Sequence, residues 1–136
     1  MLDALQYATL RAVVDRMIPR DDTPGGLDAG VDHYLIRFLQ HDVGGYITAY
    51  TAFLDAINFH TQHHHQCPFS ELTGADADLV LQRMTDEPIE LIASWNSTQL
   101  IALIAEHCAE GFYADPRQGG NREAVAWQML GYEERR

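Results

Sequence analysis

Four histidines that lie within six residues form the densest group of side chains able to do chemistry: His60, His63, His64 and His65. Imidazole nitrogens bind divalent transition metals. A helix would place His60 and His64, which are four positions apart, on one side, where both rings could hold an ion. The pair lacks the glutamate of His-Glu-x-x-His, and no Cys-x-x-Cys precedes it. Two interpretations stay open: a solvated polar helix end, or a metal site that His33 or His107 could join together with carboxylates.

Three aspartates near the first proline are a second candidate for an ion site. Asp21, Asp22 and Asp28 do not match the spacing of a calcium loop, because Pro24 and two glycines interrupt the ligand positions. Aspartate, threonine, proline and glycine are also typical of turns and helix caps. We therefore interpret this acidic segment as a structured turn between two helices.

Signatures of nucleophilic or cofactor chemistry are missing from the sequence. It has no Gly-x-Ser-x-Gly, no Gly-x-Gly-x-x-Gly and no phosphate-binding loop. Its two cysteines, Cys67 and Cys108, carry no mark of an activated thiolate; they could form one disulfide or remain free thiols, the option we favour slightly. We expect no catalytic residue and no cofactor in this chain. A helical bundle that binds a small molecule would need a pocket with converging polar groups.

Composition limits the classes of protein further. A chain of 136 residues, 46% hydrophobic and 21% charged, is typical of one globular domain, here residues 1–136. Nine basic and twenty acidic residues give 9 − 20 = −11, which disfavours nucleic acid and anionic membranes as partners. The acid excess either serves solubility or complements a basic partner surface. No run approaches the roughly 20 apolar residues of a membrane span.

Apolar residues recur with the period of a helix, and signals for strands are nearly absent. Helices are predicted over residues 2–18, 29–41, 46–63, 75–87 and about 97–113, with a short last helix over 122–130. The fold expected is all-α, a compact bundle of about five to six helices in one domain, closed by a C-terminal turn and helix. On the first helix, roughly helical spacing is shown by Leu2, Leu5, Ala8, Ala12 and Met17, with Leu10, Val13 and Val14 alongside. On the fourth helix, the side chains expected to point inward are Leu79, Val80 and Met84.

The segment 111–132 has the strongest turn chemistry. Pro116 after Asp115 favours a tight turn, and Gly119 with Gly120 permits backbone angles that other residues avoid. Asn121 can cap the short helix that follows. These residues predict a hairpin that closes the bundle.

That segment, GFYADPRQGGNREAVAWQMLGY, resembles the end of chains of the gluconate 2-dehydrogenase subunit 3 family. Those chains close with an aromatic pair, Asp-Pro, a Gly-Gly-Asn-Arg turn, a tryptophan and a final Gly-Tyr or Gly-Phe. The earlier run DRMIPRDDTPG, residues 15–25, also resembles the family, and residues 29–31 continue the likeness. The resemblance thus spans nearly the whole chain, although residues 40–95 are generic.

The resemblance implies a non-catalytic small subunit. Its partner would be a large subunit of the glucose-methanol-choline type that holds FAD and oxidises a sugar, a sugar acid or a related alcohol. In some systems a cytochrome subunit takes the electrons. Such small subunits often carry an export signal; the first residues here lack one, so a cytoplasmic location is expected, or a periplasmic one if a leader has been removed. The residues expected at the partner surface are Pro19, Asp22, Pro24, Tyr113, Asp115, Pro116, Gly119, Gly120, Asn121, Arg122, Trp127, Gly131 and Tyr132.

Overall fold

Five α-helices and one short 3₁₀ turn make up the structure, a computed structural model that describes residues 1–42, 44–114 and 120. The helices are α1 (Ala4–Met17), α2 (Val31–Gln40), α3 (Tyr46–His65), α4 (Gly74–Asp86) and α5 (Ser97–Phe112), with the 3₁₀ turn at Phe69–Glu71. Among those residues the only extended pairing is an isolated bridge between Glu90 and Asn96. The predicted all-α class is confirmed. The predicted closing turn and helix lie outside the described residues.

Side-chain caps determine where several helices begin. Asp3 accepts a hydrogen bond from the backbone N–H of Gln6 at 2.7 Å, and the Gln6 side chain accepts from the Asp3 N–H, which forms a capping box on α1. Asn96 and Gln99 make the same reciprocal pair at the start of α5. These caps satisfy backbone donors that a helix terminus leaves without a partner.

One continuous hydrophobic core holds the helices together, and α1 contacts all four of the others. Leu10, Val13 and Val14 of α1 are fully buried. Leu5, which also follows helical spacing, is 49% exposed. The stripe that includes Leu5 and the true core stripe both follow helical spacing, and contacts with the other helices decide which is covered.

The inward face of α4 required one correction. Val80 and Met84 are buried as predicted, and Ala77 and Leu81 join them. Leu79 is 68% exposed, so its predicted inward position is wrong. Positions 77, 80, 81 and 84 form one helical stripe, and residue 79 lies on the opposite side.

Buried polar side chains connect helices that are distant in sequence. Asn58 of α3 donates to Thr9 Oγ1 at 2.8 Å and accepts from the Phe69 backbone N–H at 3.0 Å, which joins α3, α1 and the 3₁₀ turn. Ser97 donates to the Met84 carbonyl at 2.6 Å and accepts from the Ile89 N–H at 2.8 Å. These bonds fix how α4 leads into α5.

Both cysteines are free thiols, as the sequence slightly favoured. Cys108 is fully buried in α5, and burial raises its pKa to about 12. Such a thiol stays protonated and acts as a small apolar side chain.

Candidate partner-docking site

The segment between α1 and α2 folds into a compact turn. The backbone N–H and hydroxyl of Thr23 donate to Asp21 Oδ1 at 2.8 and 2.9 Å, and these bonds lower the pKa of Asp21. Asp28 accepts from the Gly25 N–H at 2.9 Å and lies 3.5 Å from the guanidinium of Arg20. The acidic residues therefore act as turn residues, as the sequence indicated.

Close backbone packing requires glycine inside this turn. The Gly26 N–H donates to the Ile18 carbonyl at 2.7 Å, which brings the chain back over the end of α1. A Cβ atom on Gly25 would lie 2.7 Å from the backbone nitrogen of Arg20 and 2.8 Å from the Ile18 carbonyl oxygen. In the same turn Pro19 is exposed and Pro24 is half-buried.

The segment between α1 and α2 lies opposite the C-terminal end of α5, and between them is a groove of about 410 Å³. We call this the proline groove; its lining residues are Met17, Ile18, Pro19, Asp21, Thr23, Pro24, Ala109, Phe112 and Tyr113. Tyr113 is 47% exposed at its edge, and its ring packs edge-on against Phe112 at 5.0 Å. The groove is mostly apolar, and two of its three polar side chains, Asp21 and Thr23, bond to each other.

Three of the residues predicted for the partner surface meet in the proline groove although they are distant in sequence: Pro19, Pro24 and Tyr113. Asp22 is exposed in the same turn. The other predicted residues, apart from Gly120, lie outside the described part of the chain: Asp115, Pro116, Gly119, Asn121, Arg122, Trp127, Gly131 and Tyr132. Ala109 and Phe112 of α5 were not predicted as part of the site, although together with Tyr113 they have the spacing of one helix face.

Gly120 is buried, and close packing explains why it is glycine. A Cβ atom there would overlap the carbonyl oxygen of Gly111 in α5 and lie 3.1 Å from Cβ of Tyr34 in α2. A Cβ atom on Gly111 would in turn lie 2.6 Å from the Tyr34 ring. Gly120 therefore packs closely against Gly111 of α5 and Tyr34 of α2.

A comparison with protein families identifies the chain. The family model for gluconate 2-dehydrogenase subunit 3 matches residues 4–133 of the 136, a range that includes both motif segments. The chain belongs to this family. No curated protein and no solved structure matches it. The resemblance seen at both ends of the sequence is therefore confirmed, and described residues of both segments of this subunit 3 chain line the proline groove.

A second cavity in this subunit 3 chain, of about 350 Å³, lies between α1, the 3₁₀ turn and α4. Arg11 and Arg16 border it, but both are engaged with carboxylates. Arg11 lies 3.2 Å from the buried Asp32, and Arg16 binds both oxygens of Asp78 at 2.8 and 2.9 Å. Because both guanidinium groups are paired with carboxylates of this chain, the region favours a structural role over the binding of a small molecule.

The histidine cluster occupies the C-terminal end of α3. The rings of His60 and His64 are 4.4 Å apart between centroids. His33 and His107 do not complete a site with them: among residues 1–42, 44–114 and 120, no group of three or more His, Cys, Asp or Glu side chains could hold a metal ion. The two rings thus form a pair without a third protein ligand in that part of the subunit 3 chain.

None of the described helices is long and apolar enough to cross a membrane.

Proposed function

We propose that this chain is a non-catalytic accessory subunit that binds and stabilises an FAD-dependent oxidoreductase through its proline groove. The observation that carries the proposal is that described residues of both motif segments line one exposed apolar groove. A family of dehydrogenase subunits matches the chain along residues 4–133. Residues 85 or more positions apart converge there, with Pro24 on one wall and Tyr113 on the other.

The chemistry of the groove supports a protein partner over a small substrate. Rigid proline rings and a half-exposed tyrosine offer apolar contact area at low cost in conformational entropy, which is typical of anchor residues in interfaces. The carboxylate and hydroxyl in its lining bond to each other. Apolar side chains of the partner could fill the groove, which has a volume of about 410 Å³.

The partner that we propose is a large subunit of the glucose-methanol-choline type, which would hold the FAD and transfer hydride from a sugar or sugar acid. A cytochrome subunit could then take the electrons. Under this proposal the present chain supplies no cofactor and no catalytic group. It would contribute stability to the partner, because a subunit that binds only the folded form of the partner shifts the unfolding equilibrium towards that form.

Co-expression with a flavoprotein encoded by a neighbouring gene tests the proposal. We expect the two chains to co-purify and Tyr113→Ala to weaken their association by about tenfold or more, as truncation of an interface anchor does. Phe59→Ala is the matched control, since Phe59 is an aromatic side chain that is 78% exposed on α3, away from the groove. Helical circular dichroism of both variants would establish that each remains folded.

Two results would count against the proposal. The accessory role fails if the flavoprotein is equally soluble and active without this chain and the two never co-purify. If they do co-purify but Tyr113→Ala and Phe59→Ala bind equally well, the proline groove is not the contact surface.

A further inference from the structure

We infer that His60 and His64 form a two-histidine chelating site for a divalent late transition-metal ion, at the C-terminal end of α3. The inference is independent of the accessory role, because the site lies on α3 and none of its residues lines the proline groove. The ion would be of the nickel, copper or zinc class, which imidazole nitrogen suits.

The spacing of the two rings agrees with shared coordination. Two imidazoles bound at about 2.1 Å through their nitrogens, at a right angle around the metal, have ring centroids roughly 4.6 Å apart. The rings of His60 and His64 are separated by 4.4 Å and inclined by 42°. The separation of the rings therefore matches that of two neighbouring positions on a square or octahedral ion, which Ni²⁺ and Cu²⁺ prefer.

The neighbouring histidines pack differently: the ring of His63 lies edge-on to that of His64, with 5.2 Å between centroids and an angle of 84°. His63 stacks on Phe59 with a centroid distance of 6.4 Å and an angle of only 7°. His65 is exposed at the last position of the helix. Since the described residues contain no group of three possible ligands, the ion would keep positions open for water or for a side chain of another molecule.

Charges around the pair act in both directions. Desolvation is the main cause that lowers the pKa of His60, and the positive charges of Arg83 and of the neighbouring histidines act in the same direction. Arg83 of α4 also repels a cation, but it lies 3.2 Å from Glu87, which offsets part of that charge.

The partial negative charge at the end of α3 further favours a cation. The two histidines lie within the last six residues of that helix. This partial negative charge acts against the positive charges of Arg83 and the neighbouring histidines.

Titration calorimetry with nickel chloride, on the full-length chain without a tag at pH 7.5, tests the inference. We expect one ion per chain, and at least tenfold weaker binding in His60→Ala and in His64→Ala. His63→Ala and His65→Ala are matched controls from the same cluster and should stay within about twofold of the parent. His60 is half-buried and the other three histidines are exposed. Circular dichroism would verify that each variant remains folded.

Other outcomes would overturn it. Equal losses in all four variants, or binding that continues beyond one ion per chain, would show only the adventitious attraction of clustered histidines. Nickel binding that persists in the His60→Ala/His64→Ala double variant would place the ion elsewhere. Magnesium chloride should give no binding in the same titration, because Mg²⁺ prefers oxygen ligands.

Discussion

His107 and Tyr50 form a buried polar pair in the core of the bundle. His107 Nδ1 lies 2.6 Å from the Tyr50 hydroxyl, and only 6% of the residue is exposed. Its ring also packs against Phe38 and Tyr46, at centroid distances of 4.7 and 5.4 Å. Burial raises the pKa of Tyr50 and is the main cause that lowers the pKa of His107, so both groups are neutral in the folded chain near pH 7.

Stability should therefore decrease as the solution becomes mildly acidic. An unfolded histidine titrates near pH 6.5, while the folded His107 has a lower pKa, so the unfolded chain binds more protons in between. The contribution of His107 is complete above about pH 6.5 and is lost progressively as pH falls towards the folded pKa. We therefore expect the free energy of unfolding to be lower at pH 5.5 than at pH 7.5.

Urea unfolding of the parent and of His107→Gln at both pH values measures this effect. The glutamine variant should be less stable at pH 7.5 and should show a smaller pH dependence. His60 also has a lowered pKa and contributes in the same direction, so some dependence should remain. His65→Gln, at an exposed position, is the control. A slope in His107→Gln equal to that of the parent would contradict the assignment.

At the scale of elements, the turn between α1 and α2 is the segment that close packing constrains most. Gly25→Ala would place a methyl group less than 3 Å from backbone atoms of Arg20 and Ile18, which cannot move as a side-chain end would. We expect a loss of about 1–3 kcal/mol in unfolding free energy, the usual range for overpacking. Chemical denaturation measures it.

Gly44→Ala is the comparison for that experiment. A Cβ atom on Gly44 would lie 3.2 Å from the ring edge of Tyr46 and 3.5 Å from Asp42, both side chains, at an exposed position. The smaller strain should cost less than Gly25→Ala does. Equal losses in the two variants would mean that the turn adjusts more easily than its backbone contacts indicate.

The elements themselves could be predicted because each helix carries its own periodic signal and boundary residues. The prediction of 75–87 differs by one residue at each end from Gly74–Asp86, and 46–63 has the same start as Tyr46–His65. Turn formers before α2 likewise indicated a structured segment. These are local properties, determined by neighbours within a few positions.

What the sequence could not provide depends on contacts between distant residues. Thr9 is buried because its hydroxyl bonds the Leu5 carbonyl at 2.7 Å and Asn58 of α3 at 2.8 Å, whereas Leu5 itself remains exposed. The proline groove has the same origin, because its second wall comes from α5. A periodic pattern states that a helix has an apolar side, but not which element covers it.

At the scale of the whole molecule, the acid excess dominates the surface. The net charge is −11, and all nine basic residues are arginine. Arg11, Arg16, Arg20 and Arg83 each lie close to a carboxylate of this chain, which compensates their charge locally. The remaining acidic field favours a basic surface on a partner and would speed its approach at low salt.

One hydrophobic core shared by all five helices implies that the molecule unfolds as a unit. Trp95 provides a local probe, since it lies between α4 and α5 with its ring 6.4 Å from that of Tyr46. The chain has two tryptophans, and in the Trp127→Phe variant only Trp95 remains. We expect its fluorescence and the far-ultraviolet circular dichroism of the helices to give the same urea midpoint. An earlier transition at Trp95 would mean that the region around α4 and α5 unfolds separately from α1–α3, against a single domain over residues 1–136.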